Sequence, residues 1–299
     1  MNNLDHISIN FNHSQVIILN ICLGILMFGV ALDLRLSDFS YILKNPKPVF
    51  AGLFSQWVLL PLISIALIWI IRPEYSLAMG MLLIASCPGG NVSNYAVHLS
   101  GANAALSVIL TTISTLFCVV STPLIFSFTA TLLPIATENS IDFEISFIGM
   151  ALTIGQLIII PLILGQLFIK FFPKTTQSIK KPVRMLSLLI FIGFVIFAIT
   201  GNLENLKKYV GHVFYIVLIH NGLALFMGFF WSKNLMKLPL KDAQAISIET
   251  GIQNSGLALI LIFNFFGGKG GMALIAAWWS IWHLLSASSL AFFWSRNRN

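Results

Sequence analysis

Cys87-Pro88-Gly89-Gly90-Asn91-Val92-Ser93-Asn94 interrupts one long apolar stretch of the chain, and Glu249-Thr250-Gly251-Ile252-Gln253-Asn254-Ser255-Gly256 interrupts another. Each puts helix-breaking and polar residues where about 20 apolar residues would otherwise make a spanning helix. Bilayer hydrocarbon offers no partner to a freed N–H or C=O, so irregular backbone at that depth survives only inside protein or beside a wet cavity. Paired interruptions at corresponding places in two halves of a chain point to the midplane binding site of a transporter.

The rest of the sequence agrees with that setting. Of 299 residues, 57% are hydrophobic and only 9% charged, with a mean hydropathy of +0.90. About a quarter of a soluble domain is charged, so the composition is that of an integral membrane protein. The net charge of +7 does not signal nucleic acid, because the basic residues sit in short connections between apolar runs. Cys22, Cys87 and Cys118 lie inside apolar runs without metal-ligand spacing and read as small packed side chains. No cleavage-site pattern follows the first apolar run, so no removable signal peptide is expected.

Nine apolar segments qualify as spans, at roughly 14–34, 48–71, 76–98, 102–128, 145–172, 183–203, 211–232, 241–266 and 271–295. Between them lie polar connections such as Arg35–Lys47 and Pro173–Pro182. With the N-terminus outside, 13 of the 17 Lys and Arg fall on the inner side, leaving Arg72, Lys207, Lys208 and Lys269 outside. That asymmetry predicts N-outside, C-inside in a multi-pass plasma (bacterial inner) membrane. The two broken segments are the third and eighth spans, an odd offset of five that gives them opposite orientation. The expected fold class is therefore an all-α integral membrane protein, an inverted-repeat transporter with two discontinuous crossing helices.

Glu249 is the one carboxylate well inside a predicted span; Asp33 and Asp242 lie at span ends. An acidic residue at the helix centre costs about 2.5–3.5 kcal/mol on insertion scales, so it needs partners. Oxygen donors are dense at the two breaks and in the spans beside them: Gln56, Ser93, Asn94, Ser107, Thr111, Gln253 and Asn254. Ser107 and Thr111, four apart, share a helix face. Hard cations such as sodium take oxygen ligands, and an unwound helix adds backbone carbonyls. Scarce imidazole and thiolate argue against zinc or copper. The N-terminal end of a restarted half-helix presents free N–H groups suited to an anion. His98 and His220 read as structural, whereas His283, beside Trp278, Trp279 and Trp282, is placed to face either a cavity or a packed interface. No Gly-x-Ser-x-Gly or His-Glu-x-x-His motif and no pair of mid-span aspartates occurs, so an intramembrane enzyme is not expected.

At these residues the chain resembles the bile acid:sodium symporter family. The resemblance rests on Cys87-Pro88-Gly89-Gly90-x-x-Ser93-Asn94, Ala105-Leu106-Ser107-Val108, Thr111-Thr112-x-Ser114-Thr115-Leu116, Glu249-x-Gly251-x-Gln253-Asn254-Ser255-Gly256-Leu257-Ala258, and Gln56 ahead of Pro61. It implies a panel domain (14–34 and 145–205) and a core domain (47–128 and 210–295), after an N-terminal arm over 1–13. It also implies two sodium sites. One would use Ser93, Asn94, Ser107, Thr111 and Glu249; the second would use Gln56, Glu249 and Gln253 with the carbonyls of Thr250 and Ile252. Asn91, Asn254 and His283 would line the substrate cavity. The implied function is sodium-coupled symport of an organic anion by alternating access, the alternative being a proton-coupled or exporting relative on the same scaffold. Asn91, Trp279 and Leu284 depart from relatives in the cavity, which opens a small carboxylate beside a bile-acid-like steroid as substrate. The implied partners are that anion, sodium ions and the lipid bilayer, with no nucleic acid and no obligate protein partner.

Overall fold

The computed structural model describes residues 13–32, 44–133, 146–200 and 203–296, with side chains left undescribed for 13–15 and for parts of 184–212. The N-terminal arm, Asp33 and the acidic connection after Leu133 lie outside the described residues. The described residues are helical, and five helices are long and apolar enough to cross a membrane: Pro46–Ile71, Ala104–Ala130, Phe147–Phe171, Val213–Leu235 and Gly270–Arg296. Val16–Ala31, Tyr75–Ser86 and Ser255–Phe265 are shorter apolar helices.

In chain order, the helices are α1 (His13–Ala31), α2 (Pro46–Ile71), α3 (Tyr75–Ser86), α4 (Val92–Ser100) and α5 (Ala104–Ala130). Then come α6 (Phe147–Phe171), α7 (Pro173–Thr200), α8 (Leu203–Phe230, continuing to Leu235), α9 (Leu240–Gly251), α10 (Ser255–Phe265) and α11 (Gly270–Arg296). The predicted third and eighth spans are thus each two half-helices, α3–α4 and α9–α10, separated at the two interruptions. A 12-residue half-helix such as α3 is about 18 Å long, well short of the roughly 30 Å hydrocarbon core.

The half-helices sit where broken backbone can be tolerated. All of Ser76–Ser86 in α3, Ala243–Gly251 in α9 and Ser255–Phe263 in α10 are buried. α3 and α10 are apolar on nearly every face, as interior helices are, whereas α9 buries Gln244, Ser247, Glu249 and Thr250 and so needs polar partners inside the protein. α3 and α4 pack on α11, α9 packs on α8, and α1 packs against α6 and α7. The α3–α11 crossing is close because Gly80 faces backbone: a Cβ there would stand 2.9 Å from Met272 Cα. Gly80→Leu is expected to lower the melting temperature of the detergent-solubilised protein markedly, with overpacking costing about 1–3 kcal/mol or more.

Two features depart from the sequence expectations. The connection Pro173–Pro182 is not a loop; α7 begins at Pro173 and carries Pro182 inside it. Proline is well placed at a helix start, where its missing N–H would have no partner anyway. The first turn is closed by Thr176, whose N–H and Oγ1 both donate to Phe172 O (2.9 and 2.8 Å). The second feature is a π turn inside α2 at Ser55–Leu59, repeated in α6 at Gly155–Ile159. Each lies just ahead of a proline, in Gln56-x-x-x-x-Pro61-Leu62-Ile63 and Gln156-x-x-x-x-Pro161-Leu162-Ile163. In both the helix widens so that the residue before the proline donates five residues back, Leu60 to Ser55 and Ile160 to Gly155.

Candidate cation site at the two helix breaks

The two interruptions satisfy each other. Gly89 and Gln253 form an antiparallel bridge, with Gly90 N donating to Ile252 O (3.0 Å) and Asn254 N donating to Pro88 O (2.8 Å). Gly90 permits the approach: a Cβ would lie 3.0 Å from Gln253 O and 3.1 Å from Ile252 Cγ2. Gly89 N is taken up by Ser114 Oγ (3.2 Å).

At the end of α9, side-chain amides and the opposite strand of backbone take over from the missing helical donors. Ile248 O still receives Ile252 N (3.0 Å). After that, Glu249 O accepts from Gln56 Nε2 (3.1 Å), Thr250 O from Gln253 Nε2 (3.0 Å), Gly251 O from Asn221 Nδ2 (2.7 Å) and Ile252 O from Gly90 N. Buried carbonyls that have lost their helical partners must be paired. Every one of these is.

The side chain of Glu249 is fully buried at the centre of this arrangement. Its Oε1 accepts from Ser93 and Ser107 through very short contacts and from Thr111 Oγ1 at 3.1 Å. Its Oε2 accepts from Thr111 Oγ1 (3.0 Å) and Gln56 Nε2 (3.3 Å). Asn94 Oδ1 joins the cluster, 2.8 Å from Ser107 Oγ and 3.5 Å from Thr111 Oγ1. Three elements, α4, α5 and α9, therefore bring six oxygens together, and the α2 π turn adds the amide N–H₂ of Gln56.

Local structure explains the convergence. α5 and α9 start side by side, because Asn103 caps α5 through Leu106 N (3.1 Å) while its Nδ2 donates to Asp242 Oδ1 (2.8 Å). Asn103 N also donates to Lys241 O (3.2 Å). Seven to eight residues further along, about two turns, Thr111 and Glu249 come level with each other. The wide turn of α2 lets two consecutive residues face α9: Ser55 Oγ bonds Thr250 Oγ1 (2.7 Å) while Gln56 reaches Glu249. In a regular helix adjacent residues point about 100° apart and would not both reach it.

Chemically, the partners of the Glu249 carboxylate are all neutral hydroxyls and an amide. Burying a carboxylate costs several kcal/mol without a compensating charge, and oxygen-only surroundings suit a hard monovalent or divalent cation. Gln56 Oε1 and Gln253 Oε1 are buried without hydrogen-bond partners, one on the amide that bonds Glu249 and one on the amide that closes Thr250 O. Among the described residues no cluster of three or more His, Cys, Asp or Glu could hold a transition metal.

The comparison with known proteins agrees with this geometry. The model of the Sodium Bile acid symporter family matches residues 20–209. This chain belongs to the sodium bile acid symporter family. An uncharacterized sodium-dependent transporter of Bacillus subtilis, YocS, is 34% identical over 279 residues, covering 93% of this chain and 83% of that protein. A probable chloroplastic sodium/metabolite cotransporter of rice, BASS2, is 31% identical and covers 92% of this chain and 63% of its own length. The Arabidopsis thaliana chloroplastic BASS1 is 28% identical, with 92% and 66% covered. The chain thus spans about two thirds of these plant relatives. Membership makes it a multi-pass membrane protein of a sodium symporter family.

For this symporter-family chain, the expected ligands Ser93, Asn94, Ser107, Thr111 and Glu249 come together as one cluster, and Gln56 and Gln253 adjoin it. Ile252 O already accepts Gly90 N, leaving one lone pair, and Thr250 O likewise accepts Gln253 Nε2. Asn91 and Asn254 stand at the N-cap positions of α4 and α10. Asn254 Oδ1 is used to cap α10 through Leu257 N (3.0 Å), whereas Asn91 makes no side-chain cap. His283 is buried on α11, its Nδ1 without a partner, and bonds neither asparagine. His220 is buried, its Nε2 2.7 Å from Ser64 Oγ. Sequence reasoning did not single out Ser55 or Asn221. The proline after Gln56 hints at the distorted turn, but nothing local in the sequence marks Asn221.

Proposed function

We propose that the protein is a sodium-coupled symporter that takes up an organic anion by alternating access. The observation that carries this reading is the buried Glu249 carboxylate, held only by neutral oxygen and amide groups at the meeting of two broken helices. One sodium ion would sit among Ser93, Asn94, Ser107, Thr111 and Glu249. A second would sit among Gln56, Glu249 and Gln253 with the remaining lone pairs of Thr250 O and Ile252 O. The orphaned Oε1 atoms of Gln56 and Gln253 support that second site and favour a metal cation over a proton, which would need only one acceptor.

In this proposal α3–α4 and α9–α10 each cross the membrane once as a pair, giving nine spans with the N-terminus outside and two halves related as inverted repeats. The panel comprises 14–34 and 145–205, and the core 47–128 and 210–295. Sodium neutralises Glu249 and fixes the two breaks, whose half-helix N-termini at Asn91 and Asn254 then present N–H groups to a carboxylate. His283 lines the cavity between core and panel. With two sodium ions per monoanion, one net charge enters, adding about 2.3 kcal/mol of drive per 100 mV of inside-negative potential. The setting is a plasma (bacterial inner) membrane, and the substrate is a small carboxylate or a bile-acid-like steroid.

Melting curves of the purified protein test the reading, with bile salts and small carboxylates each added in sodium and in potassium. A shift with one substrate class that requires sodium supports it; ligand shifts equal in both salts contradict it. Ser107→Ala and Thr111→Val should each raise the sodium concentration needed for half-maximal stabilisation by about tenfold, since each removes one oxygen ligand of the proposed ion.

A further inference from the structure

Three amides close the end of α9, but only two of them, Gln56 and Gln253, belong to the proposed cation site. The third is Asn221, on α8 and fully buried. Its Nδ2 donates to Gly251 O at 2.7 Å, taking the place of the N–H four residues on that a continuing helix would supply. Ser255 N, that fourth residue's donor, goes instead to Gln253 O (2.9 Å).

Asn221 is itself fixed from the other side. Ser286 Oγ, on α11, donates to Asn221 Oδ1 at 2.5 Å, so the amide has its carbonyl and its N–H₂ assigned without ambiguity. Gly251 packs directly on α8, where a Cβ would come within 2.3 Å of Leu225 Cδ2. One turn before the break, Ser247 Oγ donates to Leu225 O (2.7 Å) and holds α9 to the same helix. The peptide between Gly251 and Ile252 therefore has its carbonyl aimed at α8. That leaves the carbonyls on either side of it, Thr250 O and Ile252 O, turned towards Gln253 and Gly90 respectively.

We propose that Asn221, locked by Ser286, is a positioning residue for the second cation site: it sets the orientation of the Gly251 peptide and hence of the Thr250 and Ile252 carbonyls. This rests on the reading of the crossing as a sodium site. Asn221 touches no ion; it acts through the backbone. Without it, Gly251 O loses its partner, the peptide is free to rotate, and the neighbouring carbonyls no longer converge. Sodium must then order the break as well as bind to it, so apparent sodium affinity falls while the protein without sodium changes little more than any buried hydrogen-bond variant would.

The test measures the melting temperature of the full-length protein in detergent as sodium chloride replaces choline chloride. The readout is the sodium concentration at half-maximal stabilisation. Asn221→Ala should raise that concentration about tenfold, and Ser286→Ala about threefold, the losses expected for one direct and one indirect buried hydrogen bond. Ser64→Ala, which removes a hydroxyl bonded to His220, the neighbour of Asn221 on α8, should lower the melting temperature in both salts and leave the sodium midpoint unchanged. If Asn221→Ala lowers stability equally in both salts with an unchanged midpoint, the residue is merely structural and the proposal is overturned. If Asn221→Ala does not fold, Ser286→Ala decides by the same criterion. A wild-type protein that sodium does not stabilise at all would instead overturn the sodium site on which the proposal rests.

Discussion

Glu249→Gln is expected to abolish sodium stabilisation and sodium-driven uptake while leaving the protein folded. Glutamine keeps the shape of the side chain, and the hydroxyls of Ser93, Ser107 and Thr111 can rotate to donate to its carbonyl or accept from its N–H₂. What it removes is the one negative charge in a fully buried cluster. Taking one partner from a buried charge pair costs about 3–5 kcal/mol, which is about two to four orders of magnitude in cation affinity. In potassium or choline the variant should melt at the wild-type temperature or above it, because it no longer buries a charge. The measurement is a sodium titration of the melting temperature beside binding of radiolabelled sodium. Wild-type sodium dependence in the variant would show that the carboxylate is not a ligand.

Gly90→Val should have the next largest effect, and through a different cause. Position 90 touches backbone, with Gln253 O and the Ile252 side chain about 3 Å from where a Cβ would stand. Neither is the free end of a flexible side chain, so relief requires the two breaks to separate. That costs the Gly90 N to Ile252 O bond and draws Asn254 N away from Pro88 O. Overpacking and a lost buried hydrogen bond together amount to about 2–4 kcal/mol. A lowered melting temperature in every salt is expected, with uptake lost even at saturating sodium. Unlike Glu249→Gln, the defect should not be specific to sodium, and comparing the two variants separates the geometry of the crossing from the charge at its centre.

Several parts of this account were readable in the residues alone. Pro88-Gly89-Gly90 and Gly251 mark the breaks because a missing N–H and freely turning glycines stand there beside polar residues in the middle of apolar spans. The spacing of Ser107 and Thr111 put both hydroxyls on one face, and Glu249 stood out as a lone carboxylate. Other parts depend on contacts between residues far apart in the chain. Nothing near Asn221 tells that its amide closes a carbonyl 30 residues away. The π turn at Ser55–Leu59 needs the tertiary fold to show that it aims two adjacent side chains at α9. Asn254, expected at the substrate cavity, also caps α10 through its side-chain carbonyl, a use that its place in the sequence does not reveal. Pro173–Pro182 reads as a polar connection in the sequence, yet Pro173 starts α7, where its missing N–H would have no partner, and Pro182 lies inside the same helix.

The central claim is that an inward sodium gradient drives uptake of an organic anion through the Glu249 cluster. Its most direct test is uptake of a labelled carboxylate, chosen from the melting screen, into sealed proteoliposomes with the membrane potential clamped by potassium and valinomycin. Accumulation above the external concentration is predicted only when sodium is higher outside, growing with an inside-negative potential and absent in Glu249→Gln. Equal accumulation driven by a pH gradient without sodium would contradict the account.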